Sequence, residues 1–224
     1  MREKVKTSMT RDESMNEYFT LHSRSHYSHK IEDSRFIGHA TPCFSRKEAE
    51  DFIEEISAEH SEASHNAFAW RVFGGDEIRE MADDDGEPPS SAGPPILQRI
   101  KGEELLNVVV VVTRYFGGTK LGIGGLIKAY GGTAARAIEK SGKTRLVLQH
   151  RFYCRGSYDF LGEALGQLER LEADIKYNGY DEGEFMIKAE IEASSWEKLE
   201  SDLRSATGNS VSLEKIDSFF DSNY

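Results

Sequence analysis

A run of five valines, Val108–Val112, followed directly by a glycine-dense segment, constrains the fold of this 224-residue chain more than any other feature. A valine run bounded by turn residues is typical of a strand that is covered on both faces. Five glycines lie between positions 117 and 125, and apolar residues at helical spacing continue to Ser141. The segment therefore predicts a strand, a turn and a long helix that packs on the sheet.

The turn between that strand and that helix is a candidate anion-binding site. Its glycines leave backbone N–H groups accessible, and the N-terminus of a helix adds partial positive charge. The candidate anion- or nucleic-acid-binding residues are Arg114, Tyr115, Gly117, Gly118, Lys120, Gly122, Gly124, Gly125 and Lys128. The alternative interpretation, in which the glycines only permit a tight turn and the cations stay solvated, remains open.

Charge is distributed unevenly along the chain, whose formal net charge is −11. Residues 93–155 contain 11 basic and 3 acidic side chains, whereas residues 1–92 contain 11 basic and 20 acidic ones. The local sign of charge decides where a polyanion can bind, so the basic segment that holds the glycine turn favours such a partner. Pairing of the acidic flanks with the basic middle is the competing explanation.

An acidic loop precedes the valine run. Asp84, Asp85 and Glu87 lie in a stretch rich in Asp, Gly, Ser and Pro, which predicts a loop. These carboxylates have the chemistry to hold Mg²⁺ or to act as an acid–base pair, but capping and loop solvation are the simpler roles. The sequence predicts no metal site, no catalytic residue and no cofactor.

Cysteine content and hydropathy bear on the compartment. The two cysteines, Cys43 and Cys154, form no metal-binding spacing and no disulfide framework. The first residues lack the apolar core of a signal peptide, and the valine run is too short to span a membrane. We therefore expect a soluble, cytoplasmic protein without a membrane partner.

Hydrophobic patterns predict an α+β protein of two domains after an N-terminal tail at residues 1–15. The first domain covers residues 16–142. The second, residues 146–224, has the order strand, helix, strand, strand, helix, strand, which is the ferredoxin-like arrangement. In this second domain we predict a tight hairpin turn at Asn178–Gly179 and a helix with a capping box formed by Ser194 and Glu197.

Four blocks of sequence resemble the signature of the IMPACT/YigZ family, whose members are tied to translation and its regulation. The usual family form has Thr where this chain has Ile123. The blocks are Ser34–Gly38, His65–Arg71, Asp84–Pro88 with Ser91–Pro95, and Arg114–Tyr130. The resemblance implies a first domain like domain 2 of ribosomal protein S5 and a second domain like the last domain of elongation factor G. It also groups His65 with Asp84, Asp85 and Glu87 as a candidate acidic-loop site.

These observations predict a non-catalytic binding protein that acts in translation. Its basic strand–turn–helix is expected to contact RNA, the ribosome or a translation factor, or a phosphate-bearing ligand. A small metal-assisted hydrolase, or another phosphate-ligand enzyme, that uses the Asp-Asp-Gly-Glu loop is the alternative. A module that docks onto another protein is a third possibility. The sequence does not determine the oligomeric state.

Overall fold

A computed structural model describes residues 9–10, 15–74, 77–181 and 183–222 and confirms the α+β fold class. Residues 18–145 form one compact unit and residues 146–222 belong to a second. The strands are β1 (Met9–Thr10), β2 (Glu17–Leu21), β3 (Ser25–Ile31), β4 (Ser34–Pro42), β5 (His65–Phe73), β6 (Glu77–Asp83), β7 (Val108–Tyr115), β8 (Lys143–Ser157), β9 (Asp174–Asp181), β10 (Glu184–Glu192) and β11 (Val211–Asp221). The helices are α1 (Arg46–Glu59), α2 (Gly93–Gly102), α3 (Gly122–Ser141), α4 (Leu161–Arg170) and α5 (Trp196–Thr207).

The valine strand β7 lies inside the sheet of the first unit, whose order is β1-β6-β5-β7-β4-β3. It pairs antiparallel with β4 on one side and with β5 on the other. Val108, Val110 and Val112 pack in the core formed with α2 and α3, whereas Val109 and Val111 pack in the core formed with α1. Both faces of β7 are therefore covered, as its continuous apolar run predicts.

Helix α3 packs closely on the sheet at one glycine. A Cβ atom added to Gly38 of β4 would lie 3.0 Å from the carbonyl oxygen of Thr133 and 3.1 Å from Cβ of Ala137. The buried face of α3 is the predicted one, because Leu126, Ala129, Tyr130, Thr133, Ala134, Ala137 and Ile138 are all buried. This contact fixes the position of α3, and hence of its N-terminus, relative to β4 and β7.

The other face of the sheet carries a chain of ring contacts. Nε2 of His39 lies 3.1 Å from Nε2 of His60, and Nδ1 of His60 lies 3.0 Å from the hydroxyl of Tyr115. Burial, followed by the charge of His60, lowers the pKa of His39 to about 4. His39 is therefore neutral in the folded protein at neutral pH.

The second unit has the predicted ferredoxin-like topology. Its sheet has the order β11-β8-β10-β9, and the pairs β8–β10, β9–β10 and β8–β11 are antiparallel. The inward residues of β10 are buried as their alternation predicts, and they pack with Leu168 of α4 and Leu199 of α5.

The predicted hairpin turn at Asn178–Gly179 is wrong. Both residues lie within β9, where Asn178 pairs with Ile187 and Gly179 with Met186, so the strand continues to Asp181. The glycine serves packing here, because an added Cβ atom would lie 2.1 Å from the hydroxyl oxygen of Tyr177. The side chain of Tyr177 occupies the space beside it.

The structure differs from the predictions in three further ways, which concern the N-terminal tail, a helix cap and several strands. Met9 and Thr10, inside the predicted tail, pair with β6, while residues 1–8 and 11–14 of that tail lie outside the described part of the chain. The predicted capping box is absent: the N-cap of α5 is Ser195, whose side chain makes no capping hydrogen bond. Strands β2, β3 and β6 were not predicted. Within the described residues, no helix combines the length and apolar character needed to cross a membrane.

The depressed pKa of His39 predicts an acid-sensitive component of stability. Because folding favours the neutral ring, this stability is present above the ordinary pKa of 6.5 and is lost as the pH falls towards 4. We expect the free energy of unfolding to decrease by about 2 kcal/mol more between pH 7.5 and pH 5 in the native chain than in His39→Gln. Urea titrations at both pH values measure this difference. His22→Gln, at an exposed histidine, is the control, and equal pH dependence in all three proteins would contradict the assignment.

Candidate functional site

A buried ion pair joins the end of β7 to the acidic loop. Nη1 of Arg114 lies 2.7 Å from Oε1 of Glu87, and the two residues are only 5% and 8% exposed. The hydroxyl of Tyr130, on α3, donates a hydrogen bond of 2.7 Å to the same carboxylate oxygen. Three segments that are distant in the sequence therefore meet at one carboxylate.

Tyr130 stays protonated in this cluster, and Arg114 is packed against aromatic rings. Burial, together with the hydrogen bond to Glu87, raises the pKa of Tyr130 above its usual value, so the phenol remains a donor. The guanidinium of Arg114 lies over the rings of Phe36 and Phe116, at 5.5 and 5.2 Å from their centroids. Arg114 is thus neutralised by Glu87 and packed between two aromatic rings.

The remaining carboxylates of the acidic loop accept backbone hydrogen bonds. Oδ1 of Asp84 accepts from the N–H groups of Ala92 and Gly93, at 2.8 and 2.9 Å, where α2 begins. Oδ2 of Asp85 accepts from the N–H of Asn66 in β5, at 2.6 Å. Asp84 therefore caps α2 from a distance, and Asp85 attaches the loop to the sheet.

The glycine turn is attached to the turn between β3 and β4. A Cβ atom on Gly117 would lie 1.9 Å from the carbonyl oxygen of Asp33, so only glycine fits this approach. The N–H of Gly117 donates to Oγ of Ser34 at 3.3 Å, and the hydroxyl of Thr119 donates to the Asp33 carboxylate at 2.6 Å. These contacts determine where the turn places Lys120 and the first residue of α3.

The N-terminus of α3 is open. Its N-cap residue, Leu121, provides no capping side chain, and the first turn contains no acidic residue. A Cβ atom added to Gly118, Gly122 or Gly124 would have no neighbour within 4 Å. The free N–H groups of this turn are therefore accessible, and the helix dipole makes them attractive to an anion.

Part of the charge of the basic segment is used in internal pairs and part is not. Lys101 pairs with Glu80 at 2.6 Å, as Arg114 does with Glu87. Among the described residues, Lys120 and Lys128 form no ion pair, and both are exposed. Internal pairing therefore accounts for Lys101 and Arg114, whereas Lys120 and Lys128 remain available to an anionic partner.

A cleft in the first unit brings the two predicted groups of residues together. It has a volume of about 460 Å³ and lies where the glycine turn, the acidic loop and β5 meet. Its lining residues are Ser64, His65, Glu87, Pro88, Arg114, Phe116, Lys120, Leu121, Gly122, Ile123 and Leu126. Of the predicted candidates, the cleft therefore brings together Arg114, Lys120 and Gly122 from the basic group with His65 and Glu87 from the acidic-loop group.

The orientation of His65 in this cleft is determined by its backbone contact. Nδ1 of His65 lies 2.8 Å from the carbonyl oxygen of Asp85, which can only accept, so Nδ1 carries the hydrogen. Nε2 is then the acceptor nitrogen of the neutral ring, and it lies 3.9 Å from Oε1 of Glu87. The ring therefore offers a hydrogen-bond acceptor to the cleft.

Some predicted site residues lie elsewhere or have a different role. Tyr115 points to the opposite face of the sheet, where its hydroxyl contacts His60. Lys128 is exposed on α3 but does not line the cleft, and Gly125 approaches Leu121, with an added Cβ atom 2.9 Å from that side chain. Arg114 is not a solvated cation, because Glu87 and two rings enclose it.

Sequence reasoning missed three polar residues of the site. Tyr130 was assigned only to the buried face of α3, although the hydroxyl of a buried tyrosine requires a partner. Oγ of Ser34 accepts from Nη2 of Arg114 at 3.3 Å, and Oγ of Ser64 accepts from the N–H of Phe116 at 3.1 Å. Ser34 begins one of the four family blocks, which could have drawn attention to it, whereas no sequence signal singles out Ser64.

Neither cysteine belongs to the site. Cys43 and Cys154 are both free and buried, and burial raises the pKa of each thiol to about 12. In the described part of the chain, no group of three or more His, Cys, Asp and Glu side chains is placed to hold a metal ion.

The ion pair of Arg114 and Glu87 predicts a large loss of stability when one partner is neutralised. We expect Glu87→Gln to lower the free energy of unfolding by about 3 kcal/mol, because the Arg114 charge stays buried without a counter-charge. Tyr130→Phe should cost about 1 kcal/mol, the usual contribution of one hydrogen bond. Glu139→Gln, which breaks the exposed pair of Glu139 with Arg136, is the matched control and should change little. Equal effects of Glu87→Gln and Glu139→Gln in chemical denaturation would refute the structural role of the pair.

Comparison with known proteins identifies the family of this chain. Residues 32–138 match the Impact N-terminal domain. The chain is 36% identical to IMPACT family member YvyE of Bacillus subtilis, over 75% of this chain and 77% of that protein. It is 35% identical to IMPACT family member YigZ of Escherichia coli, over 62% of this chain and 72% of that protein. A solved structure of a hypothetical protein superposes with a TM-score of 0.60 at 26% identity and covers 91% of this chain and 98% of that one. This chain therefore belongs to the IMPACT family.

Proposed function

We propose that this protein is a translation-associated regulator without catalytic activity, and that it binds RNA on the ribosome or beside a translation factor. The binding surface is the α3 terminus surface, which we define as Phe116, Gly118, Lys120, Gly122, Gly124 and Lys128. We further propose that the protein acts in the cytoplasm. The link to translation comes from the family resemblance, and the choice of RNA comes from the chemistry of this surface.

The uncapped N-terminus of α3 carries this proposal. Helix α2 in the same unit has its first N–H groups bonded to Asp84, whereas the first turn of α3 is left open and rich in glycine. An open helix N-terminus binds phosphate through its N–H groups and its dipole. Lys120 and Lys128 add two cations that no acidic partner neutralises within the described residues.

An exposed aromatic ring favours single-stranded nucleic acid over simple anions. Phe116 is 47% exposed at the edge of this surface, and its ring is in contact with the guanidinium of Arg114. Proteins that bind single-stranded nucleic acid combine cations along the backbone path with aromatic rings on which bases stack. The α3 terminus surface has both components.

Salt dependence measures the phosphate contacts directly. We expect affinity for single-stranded RNA to fall as salt rises, with a slope of about −0.7 for each phosphate neutralised in a plot of log K against log salt concentration. Lys120→Glu/Lys128→Glu should lower the affinity and reduce the magnitude of the slope by roughly 1.4. Fluorescence anisotropy with a labelled oligonucleotide, together with co-sedimentation with ribosomes, provides the measurement.

The control for this charge reversal is Lys140→Glu/Lys198→Glu. Both lysines are exposed, and the double change alters the net charge by the same amount far along α3 and on α5. RNA binding without a salt slope, or equal loss in the two double variants, would show that the α3 terminus surface is not the binding surface.

Substitution of Gly124 is expected to change stability and RNA binding in opposite directions. Alanine at this position meets no neighbour and is a better helix former, so we expect Gly124→Ala to stabilise the fold by up to about 1 kcal/mol. Its methyl group tilts towards the helix N-terminus and obstructs the approach of a phosphate. We therefore expect Gly124→Ala to weaken RNA binding roughly tenfold, which corresponds to the loss of one charge-assisted hydrogen bond to phosphate.

Gly132→Ala is the matched control, because Gly132 lies inside the same helix and its added Cβ atom also has no neighbour within 4 Å. It should raise thermal stability without changing RNA affinity. If Gly124→Ala and Gly132→Ala leave RNA binding equally unaffected, phosphate is not bound at the first turn of α3.

The hydrolase alternative receives less support. A carboxylate that holds a metal or moves a proton needs oxygen atoms available to the ligand, whereas Asp84 and Asp85 accept backbone hydrogen bonds and Glu87 is paired with Arg114. These contacts support a role for the acidic loop in positioning the site.

A further inference from the structure

We propose that the cleft beside the α3 terminus surface holds one unpaired nucleotide, with its base inside the cleft and its phosphate at the N-terminus of α3. This inference rests on the proposed RNA binding and specifies its form. It predicts that the protein selects single-stranded RNA over duplex RNA, which a purely electrostatic surface does not do.

The size and lining of the cleft suit a nucleobase. Its volume of about 460 Å³ lies within the usual range of small-ligand sites, and apolar side chains line one part of it. Phe116 and Ile123 are 47% and 60% exposed, although both line the cleft, so apolar surface remains available to a ligand. A planar base that enters here would cover this surface and stack on Phe116.

The polar groups of the cleft are placed to hold the base and the phosphate separately. In the neutral form of His65, Nε2 is an acceptor and so matches an N–H group on a base edge. Lys120 and the N–H of Gly122 lie where the turn enters α3, and they match a phosphate. Base contacts and phosphate contacts are thus offered by different segments.

The buried arginine adds no net charge to the cleft. Arg114 lines the cleft and is 5% exposed, yet its Nε has no hydrogen-bond partner among the described residues. Its positive charge is balanced by Glu87, so the lining retains the charge of Lys120 as its net charge when His65 is neutral. An anionic ligand therefore meets a positive cleft despite the buried carboxylate.

Access to the cleft excludes a paired base. In an A-form duplex the bases are stacked and their Watson–Crick edges are occupied, so proteins that read bases in RNA bind loops and single strands whose bases are splayed out. A cleft of one-nucleotide size can receive such a base only from unpaired RNA.

The experiment compares a labelled single-stranded oligonucleotide of about eight nucleotides with a short RNA duplex, using the full chain at low salt. We expect the single strand to bind at least tenfold more tightly than the duplex. Phe116→Ala should weaken binding of the single strand at least fivefold, since stacking of one base contributes about 1 kcal/mol or more. Adenosine 5′-monophosphate, added in excess, should displace the single strand, whereas inorganic phosphate should not at the same concentration.

Phe44→Ala is the matched control, because Phe44 is 55% exposed and lies outside the cleft. Ile123→Glu, at an exposed position that lines the cleft, serves as a second variant and should also weaken binding of the single strand. Equal affinity for single strand and duplex, or no effect of either cleft variant, would overturn the nucleotide site while leaving RNA binding by Lys120 and Lys128 intact. Absence of binding to any RNA would instead overturn the proposed function itself.

Discussion

The carboxylate of Glu87 is the contact on which the first unit depends. It receives Arg114 from the end of β7 and Tyr130 from α3, and it belongs to the acidic loop that leads into α2. Charges buried without a partner are strongly destabilising, so this arrangement forces the three segments into one geometry. The chemistry of the site follows from that packing, since the same contact places the glycine turn, the loop and the start of α3 around a single cleft.

The ion pair of Arg114 with Glu87 helps to explain the uneven distribution of charge along the chain. The excess of basic residues between positions 93 and 155 does not form a uniform basic surface, because several of its side chains, such as Lys101 and Arg114, serve acidic partners inside the fold. The basic side chains that remain available to a ligand are fewer, and they include Lys120 and Lys128 near the uncapped N-terminus of α3. Binding is therefore expected to be local and to depend on the shape of the ligand, rather than on the overall charge of −11.

Much of the fold was predictable from the periodicity of apolar residues, and the same periodicity could also have revealed part of the site. The valine run predicts a strand covered on both faces, and that strand contains the clue that was missed. Arg114 has the same parity as Val110 and Val112, so its side chain must point into the same core, where a cation needs a carboxylate. Periodicity does not reveal which carboxylate supplies the charge, because that depends on a loop contact across 27 residues. The hairpin predicted at Asn178–Gly179 was wrong because the pairing of β9 with β10 continues to Asp181, close to Gly183, which has the positive φ of a turn glycine.

The N-termini of α2 and α3 differ in whether their first N–H groups are capped. Asp84 satisfies the first N–H groups of α2, so that end is closed and contributes only to stability. At α3 the equivalent groups are left to solvent, and glycines at 118, 122 and 124 add no side chain that would cover them. An uncapped end and glycine in the first turn each lower helix stability by about 1 kcal/mol. Asp84 caps α2 from eight and nine residues away, so the fold can close a helix end, and the open end of α3 is consistent with the anion contact proposed for it.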